Sequence, residues 1–281
     1  MNQTQHDRRI TPIRRDLAAS RLKGQIDAPR FAEGVRRQVV RSVADLREHP
    51  ADTTRLETQI LFGEAFTAYD VSDGWAWGQA ELDSYVGYVE AKALGEPVMA
   101  PTHRVRVLRT LLFPSPDIKS APARPLTLNA KLAVEDQAGR FYKIAGEGYV
   151  FAAHAAALGE HDEDWVATAE RFLGAPYLWG GKTLNGVDCS GLVQAALESA
   201  GVAAPRDSDM QEAALGAPLP PKTPLRRGDL VFWKGHVGVM ADAVHLLHAN
   251  AFHMSVEIEP LDAAIARSGA LSDPVTSIRR L

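Results

Sequence analysis

The sequence predicts an α+β fold, in which a C-terminal domain of helices and antiparallel strands follows two small all-β modules. Short runs of β-type residues, separated by turn residues such as Asp73-Gly74, fill residues 35–157. From residue 160 onward helical patterns come first and strands follow, which is typical of α+β domains. The expected domains are residues 1–34 (an N-terminal arm), 35–98 and 99–157 (the two β-modules) and 158–281.

The composition excludes several classes of function. A net charge of −4 and a pI near 6.1 leave no basic surface for nucleic acid, and no basic helix indicates membrane docking. The one cysteine cannot form an intramolecular disulfide. The arginines near the N-terminus are not followed by an apolar signal segment, so the expected location is the cytoplasm. Nothing in the sequence predicts a cofactor or fixes the oligomeric state.

The two β-modules have weakly similar ends, which indicates a repeat. The first ends in Tyr85-Val86-Gly87-Tyr88-Val89 and the second in Gly148-Tyr149-Val150. Both resemble bacterial SH3-like barrels. The expected strands are Ser42–Leu46, Gln59–Glu64, Ala65–Tyr69, Trp75–Gln79 and Tyr85–Val89 in the first module, and Arg104–Leu111, Leu126–Leu128, Leu132–Glu135 and Phe141–Ile144 in the second.

The cysteine lies at a predicted helix start. Asp188 is a good N-cap, apolar residues repeat at helical spacing from Leu192 to Ala200, and Gly201 supplies the stop. Cys189 would then lie in the first turn, where the helix dipole lowers the pKa of a thiol and makes it a better nucleophile. The alternative is a buried hydrophobic cysteine, the usual state of a free one.

A nucleophilic cysteine needs a base, and nine histidines are available. His236 begins a predicted strand, and His248 lies near the end of the next. An antiparallel pairing would bring the two together across the ladder, with β-carbons roughly 4.5 to 5.5 Å apart. For either histidine the alternative is a solvated ring or one that is hydrogen-bonded in the core.

Four motifs together resemble the NlpC-type cysteine peptidases, papain-like enzymes that cut bacterial cell-wall peptides. The resemblance covers about residues 160–281 and implies that Cys189 is the nucleophile, His236 the general base and His248 its orienting partner. Tyr177 would help the backbone N–H of Cys189 to stabilise the oxyanion. The motifs are Pro176-Tyr177-Leu178-Trp179-Gly180-Gly181, Gly186-Val187-Asp188-Cys189-Ser190-Gly191-Leu192-Val193, Gly228-Asp229-Leu230-Val231-Phe232 and His236-Val237-Gly238-Val239.

A papain-like NlpC-type domain preceded by two SH3-like barrels is similar to the γ-D-glutamyl-L-diamino-acid endopeptidases of the dipeptidyl-peptidase VI type. This resemblance implies that acidic and tyrosyl residues hold the free amine of L-Ala in a murein peptide. The residues expected to bind substrate are Arg206, Asp207, Ser208, Glu64, Tyr85, Asp188 and Trp179. The alternatives are a surface carboxylate for Glu64 and packing rings for Tyr85 and Trp179. Asp188 is expected to act chiefly as the helix cap.

The leading interpretation is a cytoplasmic peptidase that cuts the bond between γ-D-Glu and the diamino acid, meso-diaminopimelate or Lys, in free murein peptides. An exported hydrolase of polymeric murein is one alternative, and a catalytically silent peptide-binding protein is another. A Cys-His-His zinc site is a third possibility, since these residues are competent ligands. It lacks a close ligand pair, so no metal is expected.

Overall fold

The computed structural model describes residues 6–281 and divides into two compact units, the first ending at Leu158 and the second spanning Gly159–Leu281. Residues 1–5 of the expected arm lie outside the described residues. The rest of the arm holds strands β1 (Ala18–Ala19) and β2 (Phe31–Ala32), with a 3₁₀ turn at Ser20–Leu22. The arm contacts the first β-module, where the Arg14 guanidinium lies 2.6 Å from the Asp70 carboxylate.

Residues 35–95 form one seven-stranded sheet in the order β5-β4-β8-β7-β6-β3-β9. The predicted turn between two of its strands is confirmed, since Asp73 and Gly74 both have positive φ, the conformation of a tight hairpin turn. The core centres on Phe66, Leu46 and Ile60. The strands are β3 (Val35–Val39), β4 (Val43–Arg47), β5 (Leu56–Leu61), β6 (Ala65–Ser72), β7 (Trp75–Ala80), β8 (Val86–Glu90) and β9 (Leu94–Gly95).

Residues 103–157 form a five-stranded sheet, β12-β11-β16-β15-β14, and a three-stranded one, β13-β10-β17. The single strand expected at Arg104–Leu111 is instead two, because the chain leaves one sheet for the other and the Arg106 N–H bonds to the His154 carbonyl. The strands are β10 (His103–Val105), β11 (Arg109–Phe113), β12 (Arg124–Thr127), β13 (Lys131–Leu132), β14 (Val134–Ala138), β15 (Phe141–Ile144), β16 (Gly148–Phe151) and β17 (Ala155–Ala157).

The two β-regions end alike. Strand β8 leads into a 3₁₀ turn at Ala91–Ala93 and then into β9. Strand β16 leads into a 3₁₀ turn at Ala152–His154 and then into β17. This shared ending supports the predicted repeat.

The second unit places helices beside a six-stranded sheet in the order β20-β25-β21-β22-β23-β24. Helix α2 packs against α1 and against strands β22 and β23, so its N-terminus lies beside the centre of the sheet. The elements are α1 (Trp165–Glu170), β18 (Lys182–Thr183), β19 (Gly186–Val187), α2 (Cys189–Ser199), α3 (Ser208–Ala214), β20 (Ala217–Pro218), β21 (Leu230–Trp233), β22 (His236–Met240), β23 (His245–Asn250), β24 (Ser255–Pro260), α4 (Leu261–Ala270) and β25 (Val275–Arg280).

Among residues 6–281, no helix is both long and apolar enough to cross a bilayer.

Candidate active site

Cys189 is the first residue of α2, and Asp188 is the N-cap. The Asp188 carboxylate accepts a hydrogen bond from the backbone N–H of Gly191 at 2.7 Å, which confirms the predicted cap. The backbone N–H of Val237 donates to the cysteine sulfur. Because Val237 directly follows His236, this contact brings the thiol to the start of strand β22.

The environment raises the pKa of the Cys189 thiol to about 12, opposite to the direction that the helix dipole alone predicts. Burial is the largest cause, since the residue is only 6% exposed and a thiolate would lose its hydration. The negative charge of Asp188 raises this pKa further, while Arg206 and the backbone N–H groups lower it. The cysteine therefore rests as a neutral thiol, and a base has to remove its proton.

The side chain of Arg206, from the segment between α2 and α3, packs against the turn that carries the cysteine. Its guanidinium donates to the two carboxylate oxygens of Asp188 at 3.0 and 2.7 Å and to the Ser190 hydroxyl at 2.9 Å. One of those oxygens also accepts from the backbone N–H of Gly180 at 2.7 Å. Arg206 is 1% exposed and Asp188 6%, and that either of them contacts substrate remains a prediction. Their polar groups are committed to each other and hold the turn in place.

Gly191 is required in this turn for steric reasons. A Cβ at this position would lie 2.2 Å from the carbonyl oxygen of Gly181, far inside van der Waals contact. The motif around the cysteine therefore has a packing explanation: the loop before β18 passes directly against the first turn of α2.

The two histidines meet, but not as direct cross-strand neighbours. The register pairs Val239 with Leu247, so His236 and His248 are diagonal to one another. Even so, Nε2 of His236 lies 2.9 Å from Nδ1 of His248, within hydrogen-bond distance. This bond occupies Nε2 of His236, and Nδ1 is therefore the ring atom that can take the proton of the thiol.

Behind His248 lies a carboxylate that sequence reasoning missed. Nε2 of His248 is 2.8 Å from a carboxylate oxygen of Glu259, on strand β24. The same carboxylate is ion-paired with the guanidinium of Arg267, which reaches its other oxygen at 2.9 Å from the last turn of α4. Hydrogen bonds therefore connect His236, His248, Glu259 and Arg267 in series. The sequence pattern predicts no strand after residue 249, so it gives Glu259 no place beside His248.

Helix α4 also supports the ring of His236 from the other side. The Trp233 ring packs against that of His236 with centroids 5.5 Å apart. Its indole N–H donates to the hydroxyl of Ser268 at 3.0 Å, one residue after Arg267. The last turn of α4 thus holds Trp233, which packs on His236, and Glu259, which bonds to His248.

Both histidines are neutral at neutral pH. Burial, the largest cause, and the proximity of His248 and Arg267 lower the pKa of His236 to about 3. Burial also lowers the pKa of His248, although its hydrogen bond to Glu259 acts in the opposite direction. A neutral imidazole has the lone pair that a general base needs.

Tyr177 interacts electrostatically with Cys189. Burial and the negative charges of Cys189 and Asp188 raise the pKa of this phenol, so it stays protonated and can donate a hydrogen bond. The loop that carries it is held by backbone contacts, including the Tyr177 N–H to the Met254 carbonyl at 2.9 Å.

Three other candidates in this unit differ in exposure. Trp179 is 56% exposed, so the packing alternative is wrong for this ring. Asp207 is half-buried at the N-cap of α3, and its side chain does not cap the helix. Ser208 begins α3 and is 7% exposed. That any of them contacts substrate remains a prediction.

Glu64 and Tyr85 belong to the N-terminal unit. Glu64 is 5% exposed, and one of its carboxylate oxygens accepts from the backbone N–H of Leu61 at 3.2 Å, which overturns the surface alternative. Tyr85 is 2% exposed and packs in the barrel core, with its hydroxyl 3.4 Å from the Glu57 carboxylate. Its ring is therefore a packing ring, as the alternative for this residue held. Substrate binding through its hydroxyl, or through Glu64, remains a prediction.

The zinc alternative conflicts with the geometry of the histidines. A hydrogen bond joins the two ring nitrogens, so a proton lies between them and they do not converge on a shared ion. Within the described part of the chain, no three His, Cys, Asp or Glu side chains are grouped so as to hold a metal ion.

Comparison with known families finds two matches. The NlpC/P60 family matches residues 174–272, and the bacterial dipeptidyl-peptidase SH3 domain matches residues 46–94. One SH3 domain is thus shown where the sequence predicts two. That residues 99–157 form a second remains a prediction.

Individual relatives agree with these matches. A γ-D-glutamyl-L-lysine dipeptidyl-peptidase of Bacillus subtilis is 28% identical over 232 residues, which cover 75% of this chain and 77% of that protein. Dipeptidyl-peptidase 6 of Lysinibacillus sphaericus is 36% identical over 102 residues, 36% of each chain. The crystal structure of an NlpC/P60 family protein from Bacillus cereus covers 88% of this chain and 99% of its own, with a TM-score of 0.76 at 22% identity, and shows the same fold. The chain is a cysteine peptidase in which residues 174–272 match the NlpC/P60 family and residues 46–94 match the bacterial dipeptidyl-peptidase SH3 domain.

Proposed function

We propose that this peptidase hydrolyses the bond between γ-D-Glu and the diamino acid, meso-diaminopimelate or Lys, in free murein peptides that begin with L-Ala. The observation that carries the chemistry is the hydrogen bond between His236 and His248 beside the helix start at Cys189. The name of the Bacillus subtilis relative, a γ-D-glutamyl-L-lysine dipeptidyl-peptidase, supports the choice of bond.

Acylation begins with proton transfer. Nδ1 of His236 takes the thiol proton of Cys189 as the sulfur attacks the γ-carbonyl carbon of D-Glu, and a C–S bond forms. Because burial disfavours a free thiolate, we expect proton transfer and attack to be closely coupled. The imidazolium of His236 then gives its proton to the leaving amine of the diamino acid as the C–N bond breaks.

The oxyanion formed during attack needs hydrogen-bond donors. The backbone N–H of Cys189 and the hydroxyl of Tyr177 are the two donors in this proposal. A preorganised donor contributes about 3 to 4 kcal/mol to stabilisation of such a transition state. The raised pKa of Tyr177 suits this role, because only the protonated phenol can donate.

Deacylation uses the same groups in reverse order. His236 removes a proton from a water molecule, and the resulting hydroxide attacks the thioester carbonyl. The C–S bond breaks, the sulfur of Cys189 regains a proton, and L-Ala-γ-D-Glu leaves with a new carboxylate. No redox step or cofactor is required.

Recognition of the substrate's free amine is the second part of the proposal. Asp207 and Ser208 of the peptidase unit are proposed to bind the ammonium group of L-Ala. Glu64 and Tyr85 of the N-terminal unit stay candidates for substrate binding from the resemblance alone. A buried carboxylate that faces an ammonium favours the free amine through a charge-assisted hydrogen bond. An N-acetyl group would leave that carboxylate unpaired, and we expect a loss of roughly 10²-fold or more in kcat/KM.

The test is incubation with L-Ala-γ-D-Glu-diaminopimelate, its lysine analogue and the N-acetyl form of each, followed by mass analysis of the products. The proposal expects L-Ala-γ-D-Glu and the free diamino acid from the unblocked peptides only. Cleavage at another bond, or no cleavage by an enzyme that alkylates normally at Cys189, would overturn the assigned substrate. Selectivity that survives both Asp207→Ala and Glu64→Ala would keep the specificity and reject these residues.

A requirement for a free amine would make this a recycling enzyme rather than one that cuts the intact wall, whose peptides are blocked at that position. Cytoplasmic location belongs to the same proposal, because reducing conditions keep the nucleophilic thiol reduced. Fractionation of cells tests it. Equal rates on free tripeptide and on polymeric murein, with the protein outside the cytoplasm, would favour the wall-hydrolase alternative.

A further inference from the structure

We propose that Glu259 and Arg267 are positioning residues that fix which nitrogen of His236 carries its proton. The inference rests on the proposed role of His236 as the base and on the hydrogen bonds that run from Arg267 through Glu259 and His248. It does not depend on which peptide is cut.

Arg267 keeps the carboxylate of Glu259 ionised. Arg267 contacts both oxygens of this carboxylate, which is 12% exposed at the side chain. That contact holds the pKa of Glu259 down at about 2, so the group is ionised at any pH where the enzyme works. An ionised carboxylate can only accept hydrogen bonds.

A neutral imidazole has one N–H donor, and this determines which nitrogen of each ring carries the hydrogen. Since Glu259 can only accept, Nε2 of His248 must carry the hydrogen in their 2.8 Å bond. A neutral ring has one N–H, so Nδ1 of His248 has to accept. Nε2 of His236 must then be the donor in the 2.9 Å bond between the rings. The lone pair of His236 is left on Nδ1, the atom available to the thiol.

A positive charge develops on His236 during catalysis. When His236 takes the thiol proton it becomes an imidazolium and still donates from Nε2. Burial lowers the pKa of His236 most, His248 and Arg267 lower it as well, and the negative charges of Asp188 and Glu259 raise it. His253, in the turn after β23, lowers the pKa of His248 in the same way. The negative charge of Glu259 thus favours the imidazolium that forms, while the positive charge of Arg267 opposes it.

The decisive variant is Glu259→Gln, which preserves the shape and removes the charge. A glutamine amide can donate as well as accept, so it no longer dictates the tautomer of His248. Loss of the carboxylate that sets a histidine tautomer in a serine protease costs about 10⁴ in kcat. Because Glu259 acts through a second ring, we expect a smaller loss in kcat/KM, on the order of 10- to 10²-fold. Glu259→Asp keeps the charge and should retain more activity.

The readout that separates positioning from stability is the ¹⁵N NMR spectrum of the imidazoles, assigned by removing His236 and His248 one at a time. We expect Nε2–H tautomers of both rings in the wild type and a mixture in Glu259→Gln. The rate of alkylation of Cys189 by iodoacetamide at pH 7 should fall in parallel. This rate reports only Cys189, the one cysteine of the chain, and needs no substrate.

Glu170→Gln is the matched control. Glu170 is also paired with an arginine, Arg227, at 2.8 Å, and contacts no histidine. It should leave tautomers, alkylation and kcat/KM unchanged. An Nδ1–H tautomer of either active-site histidine in the wild type would overturn the proposal. So would a Glu259→Gln enzyme with a lowered Tm but wild-type tautomers and alkylation rate. If alkylation slows in Glu259→Gln and stays unchanged in Glu170→Gln, but the wild type cuts no peptide, the result counts against the proposed function and not against this proposal.

Discussion

Two of the carboxylate–arginine pairs in the peptidase unit lie beside its active-site residues. Asp188 and Arg206 lie under the nucleophile, where their side chains are 9% and 1% exposed. Glu259 and Arg267 lie behind the histidines, at 12% and 25%. The first pair bonds to backbone N–H groups and a hydroxyl, while the second bonds to an imidazole. The same two chemical groups therefore fix backbone shape in one place and a proton's position in the other.

The largest expected effect comes from replacing the sulfur of Cys189, which lies in the turn that Asp188 and Arg206 hold. Cys189→Ser replaces sulfur by a less nucleophilic and less acidic oxygen while keeping the size nearly unchanged. Turnover of the tripeptide should fall by several orders of magnitude, as when one member of a catalytic unit is removed. The Tm should change little, and a variant with near-normal turnover would remove Cys189 from the mechanism.

The two histidines should differ in how much their loss costs. His236→Ala removes the base, whereas His248→Asn or His248→Gln leaves a group that can still accept a hydrogen bond from Nε2 of His236. We therefore expect kcat to fall more in the alanine variant than in either amide variant. Equal and complete loss in all three would contradict the unequal roles.

Much of this site could be predicted from the sequence, because its local features are short-range. The cap at Asp188, the helix start at Cys189 and the strand start at His236 depend on neighbours within a few residues. The diagonal placement of the histidines depends on the β22–β23 register, and the contact of Glu259 with His248 depends on β24 and α4 folding back onto the sheet. These are long-range arrangements.

The pKa of Cys189 could not be predicted from the local sequence either. A helix N-terminus can be predicted from sequence, and it lowers the pKa of a thiol. Burial depends on the packing of α2 against β22 and β23, and here it dominates. The burial of Arg206 is a further case, since neither its position nor its partner Asp188 follows from the short segment that contains it.

Breaking the first pair should affect stability first. Arg206→Met leaves Asp188 without its buried partner, and removing one member of a buried ion pair costs about 3 to 5 kcal/mol. Chemical denaturation should show this loss, with Glu170→Gln as the exposed-pair control at under about 1 kcal/mol. A stability equal to that of the control would mean that the buried pair does not hold the turn.

The smallest effect is a shift in pH dependence. The base must be neutral, and burial lowers the pKa of His236 to about 3 from its usual 6.5. The acid limb of kcat/KM should therefore lie well below pH 6.5, and activity should persist at pH 5. The free energy of unfolding, in contrast, should decrease as the pH falls below 6.5, because the unfolded chain gains protons on these histidines and the folded chain does not. An acid limb at pH 6.5 in a folded enzyme would contradict the burial of the base.

The most direct test of the central claim, that Cys189 performs the chemistry, is a titration of activity against alkylation. Wild-type enzyme is treated with increasing iodoacetamide at pH 7, and adducts per chain are counted by intact mass alongside turnover of the tripeptide. The account predicts that activity falls in proportion to the adduct on Cys189 and reaches zero at one adduct per chain. Turnover that persists in protein fully alkylated at Cys189 would contradict it.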